Sequence, residues 1–143
     1  MHTLSRNSAD LAGRILIAAI FLIAGAGKIG AYAGTQGYMQ AHGLPGALLP
    51  AVIALEIGGG LLIVTGAWTR VAALALAGFC VLAALIFHAN FADAMQQINF
   101  LKNLAMAGGF LVLAANGAGA WSVDARRAAP KGTAIAEPGR ATS

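Results

Sequence analysis

Four ionisable side chains in this 143-residue sequence lie within long apolar runs or at their ends. Glu56 lies about nine residues into the apolar run 47–66, which places it roughly 13 Å deep at 1.5 Å per helical residue. Lys28 follows the first apolar run, His88 lies near the end of the third, and Lys102 opens the fourth. Each such group costs several kcal/mol in a bilayer unless it is paired or hydrated, so these residues are candidates for binding or proton chemistry.

Small residues share a helix face with these side chains and predict that the side chains point into a bundle. Gly59 and Gly60 lie three and four residues after Glu56, where they admit a close neighbouring helix. Asn103 adds an amide beside Lys102. The candidate binding cluster is therefore Lys28, Glu56, His88, Lys102 and Asn103, and the candidate helix-packing residues are Gly58, Gly59, Gly60, Ala105 and Gly109.

A purely structural interpretation of the cluster stays open beside the functional one. A pair between Glu56 and either Lys28 or Lys102 would remove the cost of an isolated buried charge. The two lysines could instead extend to the headgroups as interface anchors. His88 could be a hydrogen-bonded interior histidine, and Glu56 could serve only packing and folding.

The composition identifies the solvent in which these residues work. Hydrophobic residues make up 59% of the chain and charged residues 10%, whereas an average soluble domain is roughly half apolar and about 25% charged. This composition argues against a soluble monomer and a disordered chain. The net charge of +4 forms no basic stripe, so a nucleic-acid partner is not expected. A small multi-pass membrane protein in a lipid bilayer is the class that remains.

Four apolar runs have the composition of membrane-spanning helices, and they lack the alternation of a β-barrel. The predicted fold is an all-α membrane protein, a four-transmembrane-helix bundle. The predicted spans are about 11–28, 47–66, 70–91 and 99–117, within a membrane domain of residues 11–122. Residues 1–10 form an N-terminal segment, and the Pro-, Gly- and Arg-rich residues 123–143 are interpreted as a disordered cytoplasmic tail.

Residues at the ends of the spans complete this prediction. Arg14 is expected to extend toward the membrane interface, and Thr69 is a candidate N-cap of the third span. The side that holds both termini and the turn 67–70 collects seven basic residues, against two on the other side, so both termini are predicted to be cytoplasmic. The seven are Arg6, Arg14, Arg70, Arg126, Arg127, Lys131 and Arg140, and the two are Lys28 and Lys102.

Metal and thiol chemistry have little support in the sequence. His2, His42 and His88 lack metal-ligand spacing, so no metal site is predicted. Cys80 is the only cysteine, and it lies in an apolar run, where it is typical of a small core residue. The chain therefore has no dithiol of its own.

The order of several motifs resembles the DoxX family of small bacterial inner-membrane proteins. The matching pieces are RILIAAIFLIAGAGKIG (14–30), HGLP (42–45), ALEIGGGLLIVTGAWTR (54–70) and FLKNLAMAGGFLVLAANGAGAWSVD (100–124). The resemblance covers residues 10–124 and implies a four-helix protein of the bacterial inner (plasma) membrane. The residues at matching family positions are Lys28, Glu56, Gly58, Gly59, Lys102 and Asn103.

The resemblance also implies a link to redox chemistry. The family name derives from a relative of the membrane subunits of a thiosulfate:quinone oxidoreductase, and some members contact a superoxide dismutase and a sulfurtransferase. The first hypothesis is therefore a redox-associated membrane subunit, with no demonstrated activity of its own, of a quinone-linked oxidoreductase. Its cluster would bind a quinone headgroup or a small sulfur oxyanion, with Lys28 and Lys102 stabilising negative charge and Glu56 or His88 handling protons.

Two other functions compete with this hypothesis. The chain could be a non-enzymatic scaffold or assembly factor for an oxidative-stress complex, with membrane or cytoplasmic redox proteins as partners. It could also carry a small molecule or protons by means of Glu56. Four short helices leave little room for a pathway, so a carrier would require a homo-oligomer.

Overall fold

The computed structural model describes residues 2–129, and every regular element in this range is helical. The order is α1 (His2–Gly30), α2 (Tyr32–Ala41), a 3-10 turn (Gly46–Leu48), α3 (Leu49–Thr65), α4 (Thr69–Phe87), α5 (Ala94–Asn116) and α6 (Val123–Ala128). Four segments of the described chain are long and apolar enough to cross a membrane, namely Thr3–Gly30, Gly46–Thr65, Thr69–Phe87 and Ala94–Asn116. The prediction of an all-α, four-span membrane fold is confirmed.

The largest difference from the predicted span boundaries is at the start of α1, which begins at His2 and includes residues 2–10 that were predicted to be a separate N-terminal segment. The boundaries also differ around the connection between α4 and α5. The third span was predicted to run to residue 91, but α4 ends at Phe87, and His88 leaves the helical conformation with φ −128° and ψ 16°. The fourth was predicted to start at 99, but α5 starts at Ala94. The Asp93 side chain accepts a hydrogen bond from the Met95 N–H and caps the helix there.

The bundle consists of two closely packed helix pairs, α1 with α3 and α4 with α5, which meet where α3 packs on α4. Close approach requires small residues in α3: a Cβ on Gly59 would lie 3.2 Å from the Leu76 side chain, and one on Gly60 would lie 2.8 Å from Leu22. Apolar side chains from four helices fill the shared core. The largest of them are Phe21, Ile63, Leu76 and Phe110.

Two of the other predicted packing residues do not support close packing of helices. A Cβ on Gly58 would meet nothing within 4 Å. Ala105 is exposed on α5, so the prediction that it faces the interior is wrong. Gly109 is also exposed, although a Cβ there would lie 2.8 Å from Ile17. The inward face of α5 is one residue further along, at Asn103, Met106, Ala107, Phe110 and Ala114.

At the end of the bundle where α3 turns into α4, residues 119–124 fold back over the helix ends, and we call this segment the clasp. Arg14 is 2% exposed and donates to the carbonyl oxygens of Val64, at 2.9 Å, and of Trp121. Its expected extension to the interface is wrong, because the last turn of α3 and the clasp supply carbonyl acceptors inside the protein. These bonds tie α1, α3 and the clasp together.

The clasp also supplies the N-terminal cap of α4. Asp124 accepts hydrogen bonds from the backbone N–H groups of Trp68 at 2.8 Å and Thr69 at 2.9 Å. The prediction of Thr69 as N-cap is wrong: Trp68 holds that position in a left-handed conformation, φ 50°, without a side-chain cap. Burial raises the pKa of Asp124, but the bonds from Thr69 and Trp68 and the charge of Arg127 outweigh it, and the pKa lies below its usual 3.8.

The start of the predicted disordered tail is helical. Ser122 accepts a hydrogen bond from the Ala125 N–H and caps α6 over Val123–Ala128, which corrects the interpretation of these residues as disordered. The later part of the tail, residues 130–143, lies outside the described residues. The cytoplasmic placement of both termini stays a prediction.

Candidate functional site

A buried ion pair joins α1 to α3 at the end of the bundle opposite the clasp. Lys28 Nζ lies 2.8 Å from Glu56 Oε1, and the side chains are 26% and 4% exposed. Gly25, one turn before Lys28, allows the two helices to approach: a Cβ on it would lie 2.6 Å from Ile57 Cγ1 and 3.3 Å from Glu56 Cβ. Of the two partners considered for Glu56, the structure pairs it with Lys28.

The ion pair uses only one of the two carboxylate oxygens of Glu56. Glu56 Oε2 is buried and has no hydrogen-bond partner among the residues that the structure describes. A buried acceptor without a donor costs about 1–3 kcal/mol, so it is usually satisfied by water or by a ligand.

A cavity of about 460 Å³ adjoins the ion pair and lies between the helices. Most of its wall is apolar, with aromatic rings from Phe21, Phe79 and Phe87. The polar side chains in the wall are few, and they come from α1, α2, α3, α5 and the residue that ends α4. They are Lys28, Thr35, Tyr38, Glu56, His88 and Asn103.

Hydrogen bonds orient the two polar side chains that face the ion pair from α4 and α5. His88 Nδ1 donates to Gln96 Oε1 at 2.6 Å. Asn103 Nδ2 donates to the backbone oxygen of Asn99 at 3.0 Å. The wall of the cavity therefore contains a cation, a carboxylate, an imidazole and an amide.

Helix α2 covers the cavity at this end. The ring of Tyr38 stacks on Phe87 with centroids 5.3 Å apart and planes at 18°. His42 packs against both rings, and its Nδ1 donates to the Tyr38 carbonyl oxygen at 2.9 Å. Met39, also in the cavity wall, is 4% exposed. The sequence interpretation missed this cover, although the i, i+4 spacing of Tyr38 and His42 was a signal for a helical aromatic face.

The cavity brings together four of the five residues in the predicted cluster. Lys28, Glu56, His88 and Asn103 line it, and Lys102 does not. Lys102 is exposed, so the prediction that it points into the bundle is wrong. The reason is the register of α5, which turns Asn103 inward and its neighbour Lys102 outward.

Comparisons with known proteins identify the family. The DoxX family model matches residues 9–89, which include Lys28, Glu56 and His88. The chain belongs to the DoxX family. Inner membrane protein YqjF of Escherichia coli (strain K12) is 54% identical over 114 residues, which are 80% of this chain and 88% of that protein. Inner membrane protein YphA of the same organism is 39% identical over 123 residues, 81% of this chain and 88% of that protein.

No solved structure matches this DoxX chain. Its relatives are named as inner membrane proteins, and its own described residues include four helices of spanning length. The DoxX chain is therefore a multi-pass protein of the inner membrane, which confirms the predicted localisation. With the lipid bilayer as its solvent, a mainly apolar cavity with polar groups at one end can receive an amphiphilic molecule from the membrane.

Proposed function

We propose that this DoxX protein binds the headgroup of a membrane quinone and acts as a redox-associated membrane subunit. The observation that carries the proposal is the cavity: about 460 Å³, mainly apolar, with the Lys28–Glu56 pair in its wall. Small-molecule sites typically have volumes of roughly 300–1,000 Å³, apolar walls and a few polar groups that fix the ligand's orientation.

The donors in the wall fit a quinone, whose two carbonyl oxygens need hydrogen-bond donors. Lys28 Nζ carries three N–H bonds and gives one to Glu56. Asn103 Nδ2 carries two and gives one to Asn99. The rings of Phe21, Phe79 and Phe87 offer apolar faces for a flat ring. Lys28 and Asn103 would therefore hold the carbonyl oxygens.

Proton handling falls to the other two polar residues of the cluster. A bound quinone would supply two-electron chemistry that also takes up two protons. His88 Nε2 and Glu56 would hold protons at the cavity wall. Because the chain has one cysteine and no dithiol, we assign electron delivery to a partner oxidoreductase.

Direct binding tests the proposal. We would reconstitute the full chain in nanodiscs, titrate it with decyl-ubiquinone and with a menaquinone analogue, and measure bound quinone after extraction. Wild-type protein should bind one of them saturably, at one per chain. Ala83→Phe, which fills the cavity, should weaken binding at least tenfold, whereas Ala75→Phe on the exposed face of the same helix should not.

A second pair of variants tests the headgroup contacts. Lys28→Met removes a charged donor worth about 1.5–3 kcal/mol, so quinone affinity should fall roughly 10- to 100-fold. Lys102→Met, on the exposed face, should bind like wild type. Asn103→Leu gives an independent reading if Lys28→Met does not fold. Absence of saturable binding to wild-type protein would contradict the proposal and favour the scaffold function.

A further inference from the structure

Two aliphatic residues that line the cavity are also part of the outer surface of the bundle. Ile20 on α1 is 51% exposed and Leu82 on α4 is 58% exposed. Both lie inside segments that are long and apolar enough to cross the membrane. At these residues the cavity wall continues into the surface that faces lipid, and we call this place the lateral opening.

The residues around the lateral opening are those of a lipid-facing surface. On α1, Leu16 and Ile23 lie on either side of Ile20 and are 74% and 73% exposed. On α4, Leu85 lies one turn beyond Leu82 and is 56% exposed. A molecule that passes between Ile20 and Leu82 therefore leaves the cavity into hydrocarbon and not into water.

The other end of the cavity holds the polar groups and lies under α2. There Tyr38, which is 47% exposed, stacks on Phe87, and Met39 is 4% exposed. A ligand from the bilayer first meets the aliphatic side chains of Ile20 and Leu82, which change rotamer quickly.

The position of the opening determines the shape of the ligand. Ile20 lies eight residues before Lys28 on α1, a separation of about 12 Å along the helix axis. If Lys28 holds the ring of the ligand, the part of the cavity between Lys28 and the lateral opening stays empty unless the ligand also has a hydrocarbon chain. Because lipid is as apolar as the cavity wall, a hydrocarbon chain can extend through the opening without losing favourable surroundings.

We propose that the ligand is a long-tailed amphiphile whose ring lies against the Lys28–Glu56 pair and whose tail leaves through the lateral opening into the bilayer. This rests on the proposed function and names its substrate class as isoprenoid quinones drawn from the membrane. A water-soluble sulfur oxyanion is not the occupant, since nothing in it would use the apolar path.

The test narrows the opening without touching the polar residues. Leu82→Trp places a large ring at the opening, and Leu85→Trp places the same ring one turn away on lipid-facing surface. The probes carry the ring that wild-type protein binds, ubiquinone or menaquinone, with either a long isoprenoid tail or a single isoprene unit, and are titrated into full-length protein in nanodiscs. Leu82→Trp should lower the affinity for the long-tailed quinone at least tenfold and the affinity for the short-tailed quinone less than threefold. Leu85→Trp should change neither affinity.

Equal losses for both quinones in Leu82→Trp, or equal behaviour of Leu82→Trp and Leu85→Trp, would overturn the inference while the proposed function stands. If wild-type protein binds quinones of neither ring type, the proposed function itself fails. Ile20→Trp, with Ile23→Trp as its control, repeats the test on α1 in case Leu82→Trp does not fold.

Discussion

Replacement of Lys28 by methionine is expected to destabilise the protein much more than replacement of its partner Glu56 by glutamine. The two side chains form one ion pair, but their surroundings differ: Glu56 is 4% exposed and Lys28 is 26% exposed. Without Lys28, a buried carboxylate is left without its cation. Without the Glu56 charge, Lys28 can still extend toward water and headgroups.

The different exposure of the two side chains determines how much each variant should lower the free energy of unfolding. Removal of one partner from a buried ion pair typically costs about 3–5 kcal/mol, and the partial exposure of Lys28 places Lys28→Met near the lower value, about 3 kcal/mol. Glu56→Gln keeps an acceptor for Lys28 and should cost about 1 kcal/mol. The double variant has no buried charge in this pair and should also cost about 1 kcal/mol.

The assay is reversible unfolding of purified protein in mixed micelles as the fraction of sodium dodecyl sulfate rises. The double-mutant cycle should give a coupling free energy of about 3 kcal/mol. Lys102→Met is the matched control, because this lysine is exposed, and it should change stability by less than about 0.5 kcal/mol. Equal losses for the two single variants, with no coupling between them, would show that the two side chains do not depend on each other for stability.

Further predictions concern the turns, the clasp and the helix contact beside the ion pair. Gly66→Ala should cost about 3 kcal/mol in the same unfolding assay, because φ is +68° and the space is filled, whereas Gly58→Ala, in open space, should not destabilise. Asp124 has a lowered pKa, so its contribution is complete above its unfolded-state pKa and is lost as pH falls through the folded-state pKa. Asp124→Asn should therefore lose less stability than wild type when the pH drops from about 5 to 3. Gly25→Ala should cost about 1–2 kcal/mol by overpacking, and Gly27→Ala should not destabilise; equal effects would contradict the proposed close contact.

The sequence predicted the fold class and much of the site because both depend on local patterns. Four apolar runs are sufficient to identify four spans, since the bilayer determines the length of each helix. A carboxylate deep in such a run must find a cation, so the candidates for the partner of Glu56 could be narrowed to Lys28 and Lys102. The choice of Lys28 depends on how closely α1 approaches α3 at Gly25, which is a tertiary property.

Errors arose where helix rotation or distant contacts decide the outcome. A run of small residues along Lys102, Ala105 and Gly109 indicated an inward face, but the packing of Phe110 and Met106 turns that face outward. Arg14 was expected to extend to the interface because the sequence near it offers no buried acceptor. Its actual acceptors lie about fifty and a hundred residues away in sequence. Local periodicity carries no information about such contacts.

Photoaffinity labelling would show whether a long-tailed quinone occupies the cavity beside the Lys28–Glu56 pair. An azido-quinone with a long isoprenoid tail would be bound to the full chain in nanodiscs, illuminated, and its adducts located by mass spectrometry. Adducts are expected at Tyr38, Phe87 and Met106 in the cavity wall, and an excess of unlabelled long-tailed quinone should remove them. Adducts confined to lipid-facing residues such as Leu111 and Val112, and unaffected by that excess, would contradict quinone binding in the cavity.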